Sequence, residues 1–104
     1  MALVELTSAD TVEVPEAQNL IGLIYLKGNN EVSINHPKAV TWSLKAAAKG
    51  LDEAQLHLGL MHEKGQGGAK DETQAVALYL KAAGQGNALA SYQLGRMYWS
   101  GKGV

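Results

Sequence analysis

The sequence has no cysteine and almost no excess charge, and both absences narrow what it can do. Without cysteine it forms no disulfide and no thiolate metal site, although this leaves the redox compartment undetermined. The formal net charge is −1, and the lysines are scattered rather than gathered into a basic stripe interleaved with aromatic residues. We therefore expect neither a nucleic acid nor an anionic membrane surface as the partner.

Long hydrophobic runs are also missing. No stretch approaches the roughly 18 consecutive apolar residues of a membrane-spanning helix, so we expect no membrane insertion. The first 14 residues have neither the basic start nor the apolar run of a secretory signal. These features predict a soluble, cytoplasmic chain. The length and compartment of any longer parent protein stay open.

What the sequence does contain is an internal repeat. Residues Ala54, Gly59 and Gly65 recur 37 residues earlier and 36 residues later. The counterparts are Ala17, Gly22 and Gly28 on one side and Ala90, Gly95 and Gly101 on the other. A period of this size is typical of stacked structural units rather than of one closed core.

Apolar spacing, capping residues and glycines predict five helices in these units. They cover Glu16–Lys27, a segment from Asn35 to about Lys49, Asp52–Lys64, a segment from Asp71 to about Ala83, and Asn87–Ser100. Upstream, Ala2 to Asp10 fits a degenerate capping helix, whereas the β-branched alternation of Thr11 to Val14 favours extended chain. The sequence leaves both alternatives open for this segment.

Three of the recurring glycines, Gly22, Gly59 and Gly95, fall in the middle of predicted helices. Glycine there costs about 1 kcal/mol relative to alanine, so its recurrence needs a common physical reason. We expect a close approach between helices, with two pairs of small residues as the partners. These are Ala46 with Ala47 and Ala82 with Ala83.

These motifs resemble a known family. Ile21-Gly22-x-x-Tyr25 and Leu94-Gly95-x-x-Tyr98 are similar to the first helix of the tetratricopeptide (TPR) repeat. The longer period and the endings Lys45-Ala46-Ala47-x-x-Gly50 and Lys81-Ala82-Ala83-x-x-Gly86 resemble instead its relative, the Sel-one-like repeat (SLR). The resemblance implies an all-α fold, a right-handed α-solenoid of antiparallel helix pairs with about two and a half repeats.

The predicted organisation is an N-terminal segment or degenerate cap over residues 1–15 and a repeat domain over 16–104. The units are 16–52, 53–88 and a partial 89–104, which stops before its second helix would begin. Two departures from the family pattern stand out. His62 occupies the position of the repeat tyrosine, and the cysteines of the disulfide-bonded branch of the family are absent.

The sequence contains no complete motif for catalysis or cofactor binding. Gly65-x-Gly67-Gly68-x-Lys70 lacks the preceding strand and the Gly-Lys-Ser/Thr of a phosphate loop. His57 and His62 lie five residues apart, roughly 140° around a helix, which is poor geometry for one metal ion. No nucleophile, base and orienting group stand together. We therefore expect a non-catalytic protein without cofactor or metal.

The resemblance to TPR geometry places three first-helix positions per unit on the concave surface. These are Asn19, Leu23 and Leu26 in unit one, Leu56, Leu60 and Glu63 in unit two, and Tyr92, Arg96 and Trp99 in unit three. Large apolar and aromatic residues that recur in no packing pattern are typical of interaction sites. The alternative is that the N-terminal segment or a neighbouring repeat covers some of them.

The family resemblance therefore implies a scaffold for protein–protein interaction that binds a peptide or protein on its concave surface. Bacterial proteins of this kind often act as adaptors in signalling or host contact. The alternative is structural: no second helix follows to cover Ala90, Leu94 and Met97, so the last helix could form a homodimer or belong to a longer array.

Overall fold

The structure is a computed structural model that describes residues 12–104. Within this range it contains five α-helices and no β-strand, which confirms the predicted all-α class. The helices are α1 (Pro15–Lys27), α2 (His36–Ala48), α3 (Asp52–Lys64), α4 (Glu72–Gly84) and α5 (Ala88–Ser100). None of the helices in this part of the chain is long and apolar enough to cross a membrane. The predicted cap helix over Ala2 to Asp10 lies outside the described residues.

Local sequence signals set where the helices begin and end. The side chains of Asn35, Asp71 and Asn87 accept hydrogen bonds from the backbone N–H three residues later, at 3.1, 3.0 and 2.8 Å. Each bond satisfies one of the backbone donors that the first turn of a helix leaves unpaired. Gly65 ends α3 in the left-handed conformation (φ 74°), which only glycine adopts without strain.

Each helix packs against the one before it and the one after it, which builds a solenoid of antiparallel pairs, α1 with α2 and α3 with α4, followed by α5. Two clusters of buried residues form the core. The first joins α1, α2 and α3 with Leu78 of α4, and the second joins α3, α4 and α5. Helix α3 contributes to both, through Leu58 and Met61 to the first and Leu56 to the second. It is therefore buried on two sides, as a central unit of a stack must be.

The mid-helix glycines of the first two units mark close helix–helix contacts, as the sequence predicts. A Cβ added at Gly59 would lie 2.7 Å from the Tyr79 ring, and one at Gly22 would lie 2.8 Å from the Ser43 hydroxyl. The predicted alanine partners are wrong, however. A Cβ at Gly22 would meet Ser43 and Ala39, and one at Gly59 would meet Tyr79 and Ala75, so each pair crosses nearer the start of its second helix than the predicted alanines.

The third unit differs from the first two at the equivalent positions. A Cβ at Gly95 would have no neighbour within 4 Å among the described residues. Tyr98, which occupies the position of Tyr25 in the first unit, is 55% exposed, whereas Tyr25 is 3% exposed. The prediction that Ala90, Leu94 and Met97 lack cover is wrong, because Ala90 and Met97 are fully buried in the second core cluster and Leu94 packs against it. The face of α5 that residues 12–104 leave uncovered is instead the one that carries Gly95 and Tyr98.

Polar contacts also tie the turn between α4 and α5 to the start of α3 and the residues just before it. The Gln85 side chain donates to the Gly50 carbonyl at 2.8 Å and to the Gln55 side chain at 3.0 Å. The Asn87 side chain, which also caps α5, donates to the Asp52 carboxylate at 3.0 Å. These bonds fix the start of α5 beside the start of α3, so the unit-to-unit register is held at this end of the helices.

We predict opposite stability effects for alanine at two equivalent glycines. Gly59→Ala gains about 1 kcal/mol of helix propensity but meets the fully buried Tyr79 ring, and such overpacking costs about 1–3 kcal/mol. The methyl group added by Gly95→Ala has no neighbour within 4 Å among the described residues. This substitution therefore gains helix propensity without a steric cost and raises stability by up to about 1 kcal/mol. Urea unfolding of both variants tests this, and a Gly59→Ala protein as stable as Gly95→Ala would contradict the close approach.

Candidate functional site

The first helices of units one and two enclose a cavity of about 430 Å³. Leu23 and Leu26 of α1 and Leu60 of α3 form its apolar wall. All three belong to the set predicted for the concave surface, and each is half-buried, so their side chains are held by packing while part of each remains accessible. A cavity of this size accommodates a bulky aliphatic side chain.

Two other residues of the predicted set do not lie on an accessible surface. Asn19 is 6% exposed and Leu56 is 4% exposed. The Asn19 side chain lies 3.2 Å from the His57 ring nitrogen Nδ1, and Leu56 packs in the second core cluster. This position points toward the next unit of the stack, so stacking buries it. Its equivalent in the third unit, Tyr92, is 66% exposed because no described helix follows α5.

The structure brings Glu63 and Arg96 together as partners of each other. The Arg96 guanidinium donates to both oxygens of the Glu63 carboxylate, at 2.7 and 2.6 Å, and to the Gln93 side chain. The Tyr79 hydroxyl donates to the same carboxylate at 2.7 Å. Helices α3, α4 and α5 are thereby joined by one charge-assisted network, and much of the hydrogen-bonding capacity of Glu63 is used within the chain.

The pKa values of this network follow from its geometry. Burial alone would raise the pKa of Glu63, but the hydrogen bonds from Arg96 and Tyr79 outweigh it and hold that pKa below its ordinary value of 4.5. Burial, together with the hydrogen bond to the carboxylate, raises the pKa of the Tyr79 hydroxyl. The carboxylate is therefore ionised and the hydroxyl protonated at neutral pH.

The third unit contributes an aromatic patch, defined by Tyr92 and Trp99. The two side chains are 66% and 93% exposed and lie seven residues apart on one face of α5, with Arg96 between them. Trp99 occupies the same repeat position as Leu26 and Glu63, and Arg96 the same position as Leu23 and Leu60. By repeat symmetry the patch continues the surface on which the cavity lies.

Sequence reasoning missed four residues that line the cavity: Lys27, Lys64, His57 and Gln66. The two lysines are the last residues of α1 and α3 and occupy equivalent repeat positions, a signal that was visible in the sequence. Burial is the main reason that the pKa of His57 is lowered; Glu53 raises it and Lys27 lowers it further. The imidazole is consequently uncharged at neutral pH.

A smaller cavity of about 230 Å³ lies on the other side of the stack. Its wall includes Leu44 of α2, Leu78 and Lys81 of α4, and His62, the residue that replaces the repeat tyrosine. Neither cavity offers a metal site, because residues 12–104 contain no group of three or more His, Cys, Asp or Glu side chains placed to hold an ion.

Comparisons with known proteins agree with this geometry. The family model of the Sel1 repeat, that is, the Sel-one-like repeat, matches residues 15–51, 52–87 and 88–104. A Sel1 repeat protein from Oxalobacter formigenes is 43% identical with a TM-score of 0.88, over 99% of this chain and 42% of that one. The protein c5321, a protective antigen present in uropathogenic Escherichia coli strains that displays an SLR fold, is 36% identical with a TM-score of 0.91, over 99% and 22%.

More distantly, cysteine rich protein B of Helicobacter pylori is 28% identical with a TM-score of 0.76, over 86% of this chain and 66% of that one. A search of curated proteins found no match. The chain spans less than half the length of the Oxalobacter and Escherichia proteins.

We predict that Glu63→Gln destabilises the fold by about 1–3 kcal/mol at neutral pH, since it weakens hydrogen bonds to a charged group. Because the folded pKa of Glu63 lies below 4.5, its contribution is fully present above that pH and is lost as the pH falls through the folded pKa. The stability difference between wild type and Glu63→Gln, measured by urea unfolding, should therefore shrink in acid.

The matched control is Glu53→Gln, at an exposed position on the same helix that forms no hydrogen bond or ion pair within the described range. Its effect on stability should be small at neutral pH. A Glu63→Gln variant that loses no more stability than Glu53→Gln would show that the network does not hold α5 in place.

Proposed function

The chain belongs to the Sel1 repeat family, and on that basis we propose that it binds a peptide or protein segment along its first-helix surface. We define this surface by the accessible members of the predicted set on α1, α3 and α5. They are Leu23, Leu26, Leu60, Tyr92, Arg96 and Trp99. Proteins built from Sel1 repeats generally mediate protein–protein interactions, so the proposal concerns which surface of this chain does so.

The observation that carries the proposal is the combination of a preformed apolar cavity and an exposed aromatic patch on one row of repeat positions. Trp99 is 93% exposed, although tryptophan is among the residue types most enriched in binding hot spots. Its packing contributes little to the fold of residues 12–104. An exposed Trp beside Tyr92 and a half-buried Arg96 fits a surface that a partner covers.

Binding is favoured over catalysis by the chemistry of the two cavities. Their walls are leucines, lysines, glutamines and single histidines, and neither wall places a hydroxyl or thiol nucleophile beside a base. Proteins of this family generally act as non-catalytic scaffolds, and we propose the same role for this chain. Its partner must supply a side chain for the cavity and a surface for the aromatic patch.

We predict that Leu60→Ala and Trp99→Ala each weaken the binding of a peptide that has been selected against the wild-type protein from a displayed peptide library. Truncating Leu60 opens the cavity wall, and truncating Trp99 removes a contact, so affinity should fall about 10-fold or more for each if they are hot-spot residues. Isothermal titration against wild type and both variants measures this.

Leu44→Ala is the matched control, because Leu44 is an exposed leucine that lines the opposite cavity. It should bind the selected peptide as wild type does. Thermal unfolding checks that Leu60→Ala, which also touches the second core cluster, remains folded at the titration temperature. Equal affinity of all four proteins would rule out the first-helix surface.

A second candidate function is self-association through α5. The specific observation is that Gly95 has no neighbour within 4 Å among the described residues and that Tyr98 is 55% exposed, whereas the equivalent Gly22 and Tyr25 are covered by a second helix. An uncovered apolar terminal face favours association of repeat arrays. Two copies that pair their α5 helices would bury this face.

For this candidate we predict a concentration-dependent dimer in size-exclusion chromatography with light scattering. Tyr98→Ser should shift the chain to monomer, because it makes the exposed face polar. Leu44→Ser, an equally exposed apolar side chain on α2, should leave the dimer intact. A monomer at high protein concentration would exclude self-association.

A further inference from the structure

The cavity between α1 and α3 has an uneven charge distribution. This charge distribution indicates the chemistry of a ligand more specifically than the cavity volume does. Lys27 and Lys64 line it and are the last residues of the two helices that form its walls, one on each helix. No Asp or Glu contributes to the lining. The apolar wall of leucines is thus bordered by two ammonium groups, and Glu53, whose charge acts on the His57 ring, lies outside the lining.

Neither lysine is neutralised by another described side chain. Lys27 and Lys64 are both exposed, and no ion pair or hydrogen bond joins either ammonium to a group within residues 12–104. Glu63, the acid next to Lys64 in sequence, is committed to Arg96 and Tyr79. His57 adds no positive charge at neutral pH, since its pKa is lowered mainly by burial.

The helix dipole explains part of why lysines occupy these two positions. A basic residue in the last turn of a helix interacts favourably with the helix dipole, and both lysines occupy such a position. That explains why they recur, but the ammonium groups still project positive potential over the cavity. A carboxylate at the rim would meet two donors, whereas a cation would be repelled.

We propose that this cavity takes an acidic–aliphatic peptide segment, with one aliphatic side chain among Leu23, Leu26 and Leu60 and an Asp or Glu on either side of it. The inference rests on the binding function proposed above and names the chemistry of the partner. Two carboxylates fit better than a single C-terminal carboxylate, because the two lysines that line the cavity belong to different helices.

The test uses short synthetic peptides with blocked ends and an isotope-labelled protein followed by NMR titration. The probe is Ser-Asp-Leu-Asp-Ser, compared with Ser-Asn-Leu-Asn-Ser, which keeps the shape but removes the charges. Ser-Asp-Ala-Asp-Ser keeps the charges but leaves the cavity unfilled. A further peptide, Ser-Asn-Leu with a free carboxylate, carries the negative charge at its C-terminus instead.

We expect the Asp-Leu-Asp peptide to shift the cavity resonances and to bind about three- to tenfold more tightly than its Asn-Leu-Asn counterpart, the range for two exposed ion pairs. Lys27→Gln and Lys64→Gln should each lower the affinity for the acidic peptide about two- to fourfold and leave the affinity for the Asn peptide unchanged. Lys81→Gln, which removes the same charge at the opposite cavity, should have no effect.

The inference is overturned if the Asp and Asn peptides bind equally, if the double variant Lys27→Gln/Lys64→Gln binds the acidic peptide as wild type does, or if no peptide shifts the cavity resonances. Tighter, lysine-dependent binding of the free-carboxylate peptide would overturn the choice of flanking acids. Library-selected peptides that still depend on Leu60 in any of these cases would leave the proposed binding function standing, so the two failures are distinguishable.

Discussion

The structure depends on the contact between Gly59 and Tyr79. Because position 59 has no side chain, the Tyr79 ring packs directly against α3 and becomes fully buried. In this position its hydroxyl reaches Glu63, one helical turn after the glycine, and Glu63 in turn binds Arg96 of α5. Packing within the second unit and attachment of the third unit thus follow from one close approach.

Residues that pack the repeats and residues that vary between the repeats are only partly separated along the sequence. Residues that recur with the repeat period, such as Ala54 and Gly59, lie in the core or at helix contacts. Many residues that differ between units lie on the first-helix surface, where Leu60 and Arg96 occupy the same repeat position, although Asn19 and Leu56 also differ and are buried. Units can therefore differ at exposed positions such as Trp99 while they share the same packing residues, and such differences give a repetitive fold an individual surface.

The same repeat symmetry shows how stacking of the units changes the exposure of equivalent side chains. The position held by Asn19 and Leu56 is buried between units, while its third copy, Tyr92, is exposed. Equivalent repeat positions thus differ in accessibility because different elements pack beside them. A surface residue in a repeat protein is defined by its neighbours in the stack as much as by its place on the helix.

Much of the fold could be predicted from the sequence because its causes are local. The caps Asn35, Asp71 and Asn87 act within one turn of their own helices, and the repeat period indicates stacked pairs. The candidate site was predictable only in part. Leu23, Leu26 and Leu60, which were predicted for the concave surface, line the cavity, but that Lys27, Lys64 and His57 share this lining depends on how α1 and α3 pack.

The sequence by itself therefore determined the helices, their pairing and the all-α repeat architecture, because these follow from periodicity and from interactions a few residues apart. Only the tertiary structure decided that Gly59 meets Tyr79 rather than alanines, that Glu63 and Arg96 join, and that Asn19 and Leu56 are buried. Those outcomes depend on where neighbouring helices cross along their lengths. A helical sequence specifies which face packs, but the crossing point is set by how the side chains of both helices fit together.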